Sequence, residues 1–153
     1  MQLGELARQI AHERTARFSE REIEGISTDS KHVMHGDLFV CFRGGEHDGH
    51  DFAAEAVAAG AAALACEREL DIPVPQIIVP DGRAAAGELA AAFYGHPERK
   101  LKIVGITGTN GKTTTAYMLA SVLAEAGRAC GIVGTLGIRY ANREIDPSLT
   151  TPD

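Results

Sequence analysis

The chain has 153 residues, a formal net charge of −6, 44% hydrophobic residues, few aromatic residues and no tryptophan. This length is enough for one domain or two small ones with a buried core, and the composition is that of a soluble globular protein. An acidic chain without a run of lysine or arginine is not typical of nucleic-acid binders, so we expect no nucleic-acid partner.

The amino terminus lacks the apolar run of a signal peptide, and no stretch approaches the roughly 20 apolar residues of a membrane span. The three cysteines, Cys41, Cys66 and Cys130, are far apart in the sequence. That spacing disfavours a disulfide framework and a zinc ribbon and favours small buried thiols. We therefore expect a cytoplasmic protein.

In chain order, the first hundred residues alternate between helical and extended patterns. Apolar residues at positions 3, 6, 7 and 10 indicate an amphipathic helix. Strands are predicted at 23–27, 37–42, 61–66 and 76–79, and helices at 52–59 and 83–94. The strand at 37–42 is apolar throughout from residue 38 to residue 42, which predicts a central position in a sheet.

A linker is predicted at 95–100, where glycine and proline end the helix and charges follow. Beyond it, a strand at 101–106, a turn at 108–111, a helix at 113–126 and a strand at 130–133 form a strand–loop–helix–strand unit, which needs a parallel sheet covered by helices. The fold class is therefore α/β: a small amino-terminal domain followed by the start of a parallel-sheet domain. Because a doubly wound nucleotide domain needs more strands than these, we expect a truncated one.

A glycine-rich loop, Gly108-Thr109-Asn110-Gly111-Lys112-Thr113, precedes the helix predicted at 113–126. Glycines let backbone N–H groups approach phosphate oxygens, and the helix adds the positive end of its dipole. A lysine and a threonine in this place suit the outer phosphates of ATP and a magnesium ion. Ile106 stands where the general P-loop has its first glycine, so the motif is a shorter form. The alternative is an ordinary strand–helix turn with a chance Gly-Lys-Thr, which the flanking strand and helix disfavour.

A second polar cluster, His47, Asp48, His50 and Asp51, follows the strand predicted at 37–42. The histidine spacing permits a metal site, but zinc sites need a fourth ligand and a supporting shell, and neither is visible. A substrate loop that leads into a helix, with Asp51 near its cap, is the interpretation we favour.

Several segments resemble the Mur ligases, which add amino acids to the peptidoglycan precursor. The segment 105–115 resembles their ATP loop, and the segments 28–31, 36–40 and 48–52 resemble the amino-terminal, UDP-binding domain of the MurE and MurF types. The segments 93–97, 134–137 and 150–153 are similar to the MurE type specifically. The resemblance covers the whole chain. It implies a UDP-substrate-binding domain at 1–97 and the beginning of a central ATP-binding domain at 98–153.

The resemblance also implies a reaction, its ligands and its residues. ATP would activate the D-glutamate γ-carboxylate of UDP-MurNAc-L-Ala-D-Glu as an acyl phosphate, and the amine of diaminopimelate or lysine would displace phosphate. The implied ATP-binding residues, with Lys112 stabilising phosphate and Thr113 on Mg²⁺, are Gly108, Thr109, Asn110, Gly111, Lys112, Thr113 and Thr114. The implied contacts of the UDP-linked substrate are Thr28, Ser30, Gly45, Glu46, His47, Thr150 and Thr151. We expect a monomer.

The same residues also permit other interpretations of the site and of the function. Thr28 and Ser30 can instead satisfy turn backbone, as such residues often do. A MurF-type or other Mur-like ligase, or a non-catalytic UDP-sugar-binding module, would share many of these motifs. We also expect the 153 residues alone not to complete the ligation, because the family's remaining catalytic residues lie beyond Asp153.

Overall fold

In the computed structural model, which describes residues 1–12, 14–17, 19–45, 47–140 and 143–145, a five-stranded sheet organises the first of two units, Met1–Leu101. Its strands are β1 (Arg14–Ala16), β2 (Gly25–Ser27), β3 (Asp37–Val40), β4 (Ala63–Cys66) and β5 (Gln76–Ile78). The order across the sheet is β1-β5-β4-β3-β2. The strands β2 to β5 run parallel, and β1 pairs antiparallel with β5 at one edge.

Helices cover both faces of this sheet. They are α1 (Leu3–Ala7), α2 (Ala53–Ala59) and α3 (Gly82–Phe93), and short 3-10 turns span Ser30–His32, Gly49–Phe52 and Pro97–Lys100. Side chains alternate along β3, so Leu38 and Val40 join the apolar cluster with α1 and α3, whereas Phe39 joins the cluster with α2. The residues of β3 and β4 are all buried, as expected of parallel strands covered on both faces.

Most elements predicted in this unit are present, with ends that differ by one to three residues, and β3 is an interior strand with β4 on one side and β2 on the other. The helix α2 ends at Gly60, whose φ of +123° favours glycine. The side chain of Asp81 accepts a hydrogen bond from the Ala84 N–H at 3.0 Å and caps α3. The strand β1 was not predicted, because the segment around it reads as a polar connection. The α/β fold class is confirmed.

The second unit, Lys102–Asp153, contains α4 (Lys112–Glu125) and three antiparallel strands. These are β6 (Gly131–Gly134), β7 (Gly137–Tyr140) and β8 (Arg143–Ile145), in that order across the sheet. No helix in the described ranges is long and apolar enough to cross a membrane.

Two predictions for this unit were wrong. Residues 101–106 form no strand: no described strand pairs with them, so no ladder satisfies their backbone groups. The predicted parallel strand–helix–strand unit is absent from the described residues. The strand β6 instead pairs antiparallel with its neighbour β7 through a tight turn. Pairing of neighbouring strands costs little chain entropy, because it closes only a short loop.

The apolar residues of α4 at positions 118, 119, 122 and 123 do not form a packed core face. No residue of α4 is buried, and Met118 and Val122 are each 65% exposed. Leu119 and Leu123 are half-buried and line a cavity together with residues of β6. The prediction for the cysteines needs a similar correction: Cys41 and Cys66 are buried free thiols, but Cys130 is only half-buried.

Candidate functional site

The site residues predicted in the first unit follow two neighbouring strands. Thr28 and Ser30 come directly after β2, and Gly45 and His47 come after β3. Because β2 and β3 are adjacent and parallel, with Ser27 opposite Phe39, both loops leave the same edge of the sheet. Ligands of open α/β sheets bind outside this carboxyl edge. The fold therefore brings together two stretches that are far apart in sequence.

The loop after β2 is shaped by Asp29. Its carboxylate accepts hydrogen bonds from the Lys31 backbone N–H at 2.9 Å and lies 2.7 Å from the His32 ring, and it caps the 3-10 turn Ser30–His32. The pKa of Asp29 is lowered, first by the Lys31 N–H and then by the His32 side chain. The turn backbone is thus satisfied by Asp29, rather than by the hydroxyls of Thr28 and Ser30.

Those two hydroxyls are available to a ligand. Thr28 and Ser30 are partly buried, and among the described residues no hydrogen bond involves either hydroxyl. The neighbouring Ser27 hydroxyl is engaged, since it donates to the Asp29 carbonyl at 3.0 Å. A hydroxyl both donates and accepts, so this pair can meet diphosphate or uracil oxygens at close range.

The loop after β3 closes as a small hairpin. Arg43 and Asp48 form an isolated antiparallel bridge, and the Gly44 N–H donates to the His47 carbonyl at 2.8 Å. Gly45 and His47 are exposed at its tip. Glu46, predicted between them, lies outside the described residues, as do Thr150 and Thr151.

Residues just after this hairpin were only partly anticipated. The cap of the following 3-10 turn is Asp48, whose carboxylate accepts from the His50 N–H at 3.0 Å. Asp51, predicted near the helix cap, directly precedes Phe52, the cap residue of α2, which makes no side-chain cap bond. The pKa of Asp48 is lowered to about 2, first by the His50 backbone N–H and then by the His50 ring. His50 itself is buried, with both ring nitrogens held by protein groups, so it has no ring nitrogen left for a metal ion. The Asp48-Gly49 pair is the turn signal in the sequence that could have identified this cap.

The glycine-rich loop of the second unit leads into the amino terminus of α4. Gly108 and Gly111 have φ of +153° and +77°, which L side chains rarely adopt. Gly111 is the cap residue of α4 and supplies no side-chain bond, so the N–H groups of the first turn point outward without a cap. The ammonium of Lys112 donates to the Gly108 carbonyl at 2.5 Å, which holds this cation over the loop.

These groups fit a nucleotide phosphate with its magnesium. Uncapped N–H groups and the helix dipole attract an anion, and Lys112 adds a mobile positive charge. Thr113, partly buried in the first turn, offers the hydroxyl that such loops use for the metal. A cavity of about 320 Å³ adjoins Lys112 and Thr113, and the turn Gly134–Gly137 and the apolar Leu119 also line it.

Comparison with known proteins identifies the family. Residues 22–94 match the family described as "Mur ligase family, catalytic domain", and residues 106–153 match the "Mur ligase middle domain". The chain belongs to the Mur ligase family. The phosphate loop lies in the second matched region, and both loops at the sheet edge lie in the first.

Two of the similar relatives carry the same name. The UDP-N-acetylmuramoyl-L-alanyl-D-glutamate--2,6-diaminopimelate ligase of Geobacillus thermodenitrificans is 46% identical over 132 residues, which cover 86% of this Mur ligase chain and 27% of that protein. The ligase of the same name from Syntrophomonas wolfei is 41% identical over 155 residues, covering 100% of this chain and 32% of that protein. The chain thus spans about a quarter to a third of the length of these relatives.

Solved structures agree on the fold. A structure of a UDP-N-acetylmuramoyl-L-alanyl-D-glutamate--2,6-diaminopimelate ligase has a TM-score of 0.66 and 31% identity, covering 86% of this chain and 27% of its own. MurF from Acinetobacter baumannii has a TM-score of 0.58 and 36% identity, covering 81% and 25%. MurF from Thermotoga maritima in complex with ADP has a TM-score of 0.52 and 34% identity, covering 65% and 23%.

Proposed function

We propose that this chain is the substrate- and nucleotide-binding part of an ATP-dependent ligase of peptidoglycan precursor synthesis. The whole protein would add a third amino acid, diaminopimelate or lysine, to UDP-MurNAc-L-Ala-D-Glu. The observation that carries the proposal is the phosphate loop at the uncapped start of α4, in a chain 41 to 46% identical to diaminopimelate ligases.

The first domain, proposed as residues 1–97, holds the UDP-linked substrate. The hydroxyls of Thr28 and Ser30, which make no hydrogen bond among the described residues, and the exposed tip with Gly45 and His47 support this, because they share one edge of the sheet. By family resemblance we assign the same ligand to Glu46, Thr150 and Thr151.

The second domain, proposed to begin at residue 98, holds ATP with Mg²⁺ at residues 108–114. The γ-phosphoryl group passes to the D-glutamate γ-carboxylate, and the incoming amine then displaces phosphate from the acyl phosphate. In this chain Lys112 stabilises phosphate charge. Because the chain spans only about a quarter to a third of the length of its relatives, we propose that the 153 residues bind both ligands without ligating them. Three free thiols suit a reducing cytoplasm, and we propose a monomer there.

Isothermal titration of the 153-residue chain with UDP-MurNAc-L-Ala-D-Glu tests the first domain. We expect Ser30→Ala to lose roughly tenfold in affinity, the worth of one hydrogen bond to a charged group. Ser19→Ala is the matched control, since Ser19 is exposed in the loop after β1. Equal affinity of the wild-type chain and Ser30→Ala would remove Ser30 from the site.

Titration with ADP, with and without Mg²⁺, tests the second domain. Thr113→Val removes the hydroxyl but keeps the shape of the side chain, so we expect weaker binding of Mg-ADP and unchanged binding of ADP in EDTA. Thr115→Val is the control, because Thr115 is exposed in the same turn of α4. If both variants behave alike, the hydroxyl of Thr113 has no part in metal binding.

A MurF-type ligase is the second candidate, favoured by the likeness to MurF structures at 34 to 39% identity. Tight binding of a UDP-linked tripeptide, with weak binding of the dipeptide, would decide for it. Binding of the UDP-linked dipeptide without any affinity for ADP would instead indicate a non-catalytic UDP-sugar-binding module.

A further inference from the structure

His50 is a buried histidine with a fixed tautomer. Its side chain is 0% exposed, and its Nδ1 lies 2.5 Å from the Asp48 carboxylate. The backbone N–H of Glu67 donates to its Nε2 at 3.0 Å. A backbone amide can only donate, so Nε2 carries no hydrogen and Nδ1–H donates to Asp48. His50 is therefore a neutral bridge between two loops.

The bridge connects the ends of three adjacent strands. Asp48 closes the hairpin after β3, and Glu67 directly follows β4. The Glu67 carboxylate in turn accepts from the N–H of Gly82, the first residue of α3 after β5, at 2.9 Å. Hydrogen bonds thus run from Asp48 through His50 and Glu67 to Gly82 along the carboxyl edge of the sheet.

The hairpin at 43–48 depends on this bridge for its position. Its exposed tip is joined internally by the bond from Gly44 to His47, and the rings of His47 and Phe52 meet edge-on at 6.0 Å. Arg68 also reaches Asp48, at 3.3 Å, but its side chain is 55% exposed, and such pairs contribute little. The bond between Asp48 and His50 is the buried one.

We propose that His50, acting through Asp48, is a positioning residue for the substrate loop. It holds Gly45 and His47 in the shape that meets the UDP part of the ligand, so that binding need not order the loop. This inference rests on the proposed function of the first domain. Without His50, the Glu67 N–H loses its partner and the hairpin loses its buried anchor.

Two substitutions of His50 test the proposal. His50→Gln can direct an amide N–H toward Asp48 and a carbonyl oxygen toward the Glu67 N–H, whereas His50→Leu fills similar space and does neither. Gln76→Leu is the matched control. Gln76 is fully buried at the start of β5. Its amide bonds Leu70 and Ile72, and its Oε1 also accepts from the Cys66 thiol at 3.5 Å. Gln76→Leu thus removes a comparable buried polar group whose bonds, among the described residues, lie outside the hairpin.

The first readout needs no ligand. Hydrogen exchange of two amides reports the order of the hairpin: the Gly44 amide bonds His47 inside it, and the Gly49 amide bonds the Phe42 carbonyl at its base. We expect exchange at least roughly tenfold faster in His50→Leu, and near wild-type rates in His50→Gln and Gln76→Leu. Unchanged exchange in His50→Leu, or an equal rise in Gln76→Leu, overturns the proposal.

The second readout is titration of the same proteins with UDP and with UDP-MurNAc-L-Ala-D-Glu. We expect a loss of about tenfold or more for both ligands in His50→Leu, and rescue in His50→Gln. Wild-type affinity in His50→Leu overturns the inference and leaves the proposed function intact. If the wild-type chain binds neither ligand, the proposed function itself fails, and the inference falls for that separate reason.

If His50→Leu does not fold, Asp48→Ala removes the partner of Nδ1 and leaves the buried ring in place. Arg68→Ala then serves as the control, because it removes the exposed partner of the same carboxylate. We expect both readouts to change in Asp48→Ala and neither to change in Arg68→Ala. The reverse pattern would assign the positioning to Arg68 and overturn the role of His50.

Discussion

Neighbouring backbone lies very close to Gly82, the first residue of α3. A Cβ placed there would lie 2.4 Å from the Cys41 carbonyl oxygen and 2.8 Å from the Phe42 Cβ, distances that real Cβ atoms essentially never show. The Cys41 carbonyl belongs to backbone that bonds along the buried β4 strand, so the helix start must move instead. That movement stretches the 2.9 Å bond from Gly82 to Glu67.

We expect Gly82→Ala to lower the free energy of unfolding by about 2 to 4 kcal/mol, from overpacking and one weakened hydrogen bond. Gly87→Ala in the same helix is the matched control. Gly87 is exposed, and no atom lies within 4 Å of a Cβ placed there. Alanine should therefore raise the free energy of unfolding by about 0.5 to 1 kcal/mol.

Urea unfolding followed by far-ultraviolet circular dichroism measures both changes. With a slope of about 1 to 3 kcal/mol per molar urea, the midpoint should fall by roughly 1 M or more in Gly82→Ala and rise by a few tenths in Gly87→Ala. If the two variants shift in the same direction, the close approach of α3 to the end of β3 is refuted.

Two further outcomes follow from the site. Lys112→Ala should weaken Mg-ADP binding by about tenfold to a hundredfold in titration, as expected for the loss of a charged contact to phosphate. Lys100→Ala, outside the loop, is the control and should leave the affinity unchanged. Equal losses in the two variants would contradict the assignment of Lys112 to the phosphate site. Asp48 stabilises the fold above its ordinary pKa of 3.8, and this contribution is lost as the pH falls through about 2, because the folded-state pKa is lowered. Because Asp48 is partly exposed, we expect the free energy of unfolding of the wild-type protein to fall by about 1 to 2 kcal/mol more than that of Asp48→Asn between pH 5 and pH 2. Urea unfolding at the two pH values measures this difference. Identical pH dependence of the two proteins would contradict the stabilising role of the Asp48 carboxylate.

Local sequence patterns predicted most of the first unit. The patterns that predict its helices, its apolar strands and the helix end at Gly60 each involve residues only a few positions apart. A single sequence is therefore enough to recognise them. The strand β1 was not predicted from the sequence because its residues are mostly polar. Arg14 and Arg17 pair with Glu69 and Asp71, which are more than fifty residues away, so the strand depends on partners that no local pattern displays.

The phosphate loop was predictable because its glycines, lysine and helix lie side by side in sequence. The buried bridge from Asp48 through His50 to Glu67 was not, since its ends belong to different strands and meet only in the fold. The strand predicted at residues 101–106 does not form, for a related reason. Their apolar pattern is that of a strand, but a strand forms only where a neighbour completes its ladder.

The unequal burial of the three thiols gives the chain its own chemical reporters. Burial raises the pKa of the Cys66 thiol to about 11 and raises that of Cys41 further, so almost no reactive thiolate exists in the folded first unit. Both thiols become available to an alkylating reagent only when this sheet opens. Cys130, half-buried in the second unit, needs no such opening. Alkylation counted by mass spectrometry would therefore follow the opening of the first unit through Cys41 and Cys66, with Cys130 as an internal reference that reacts without it.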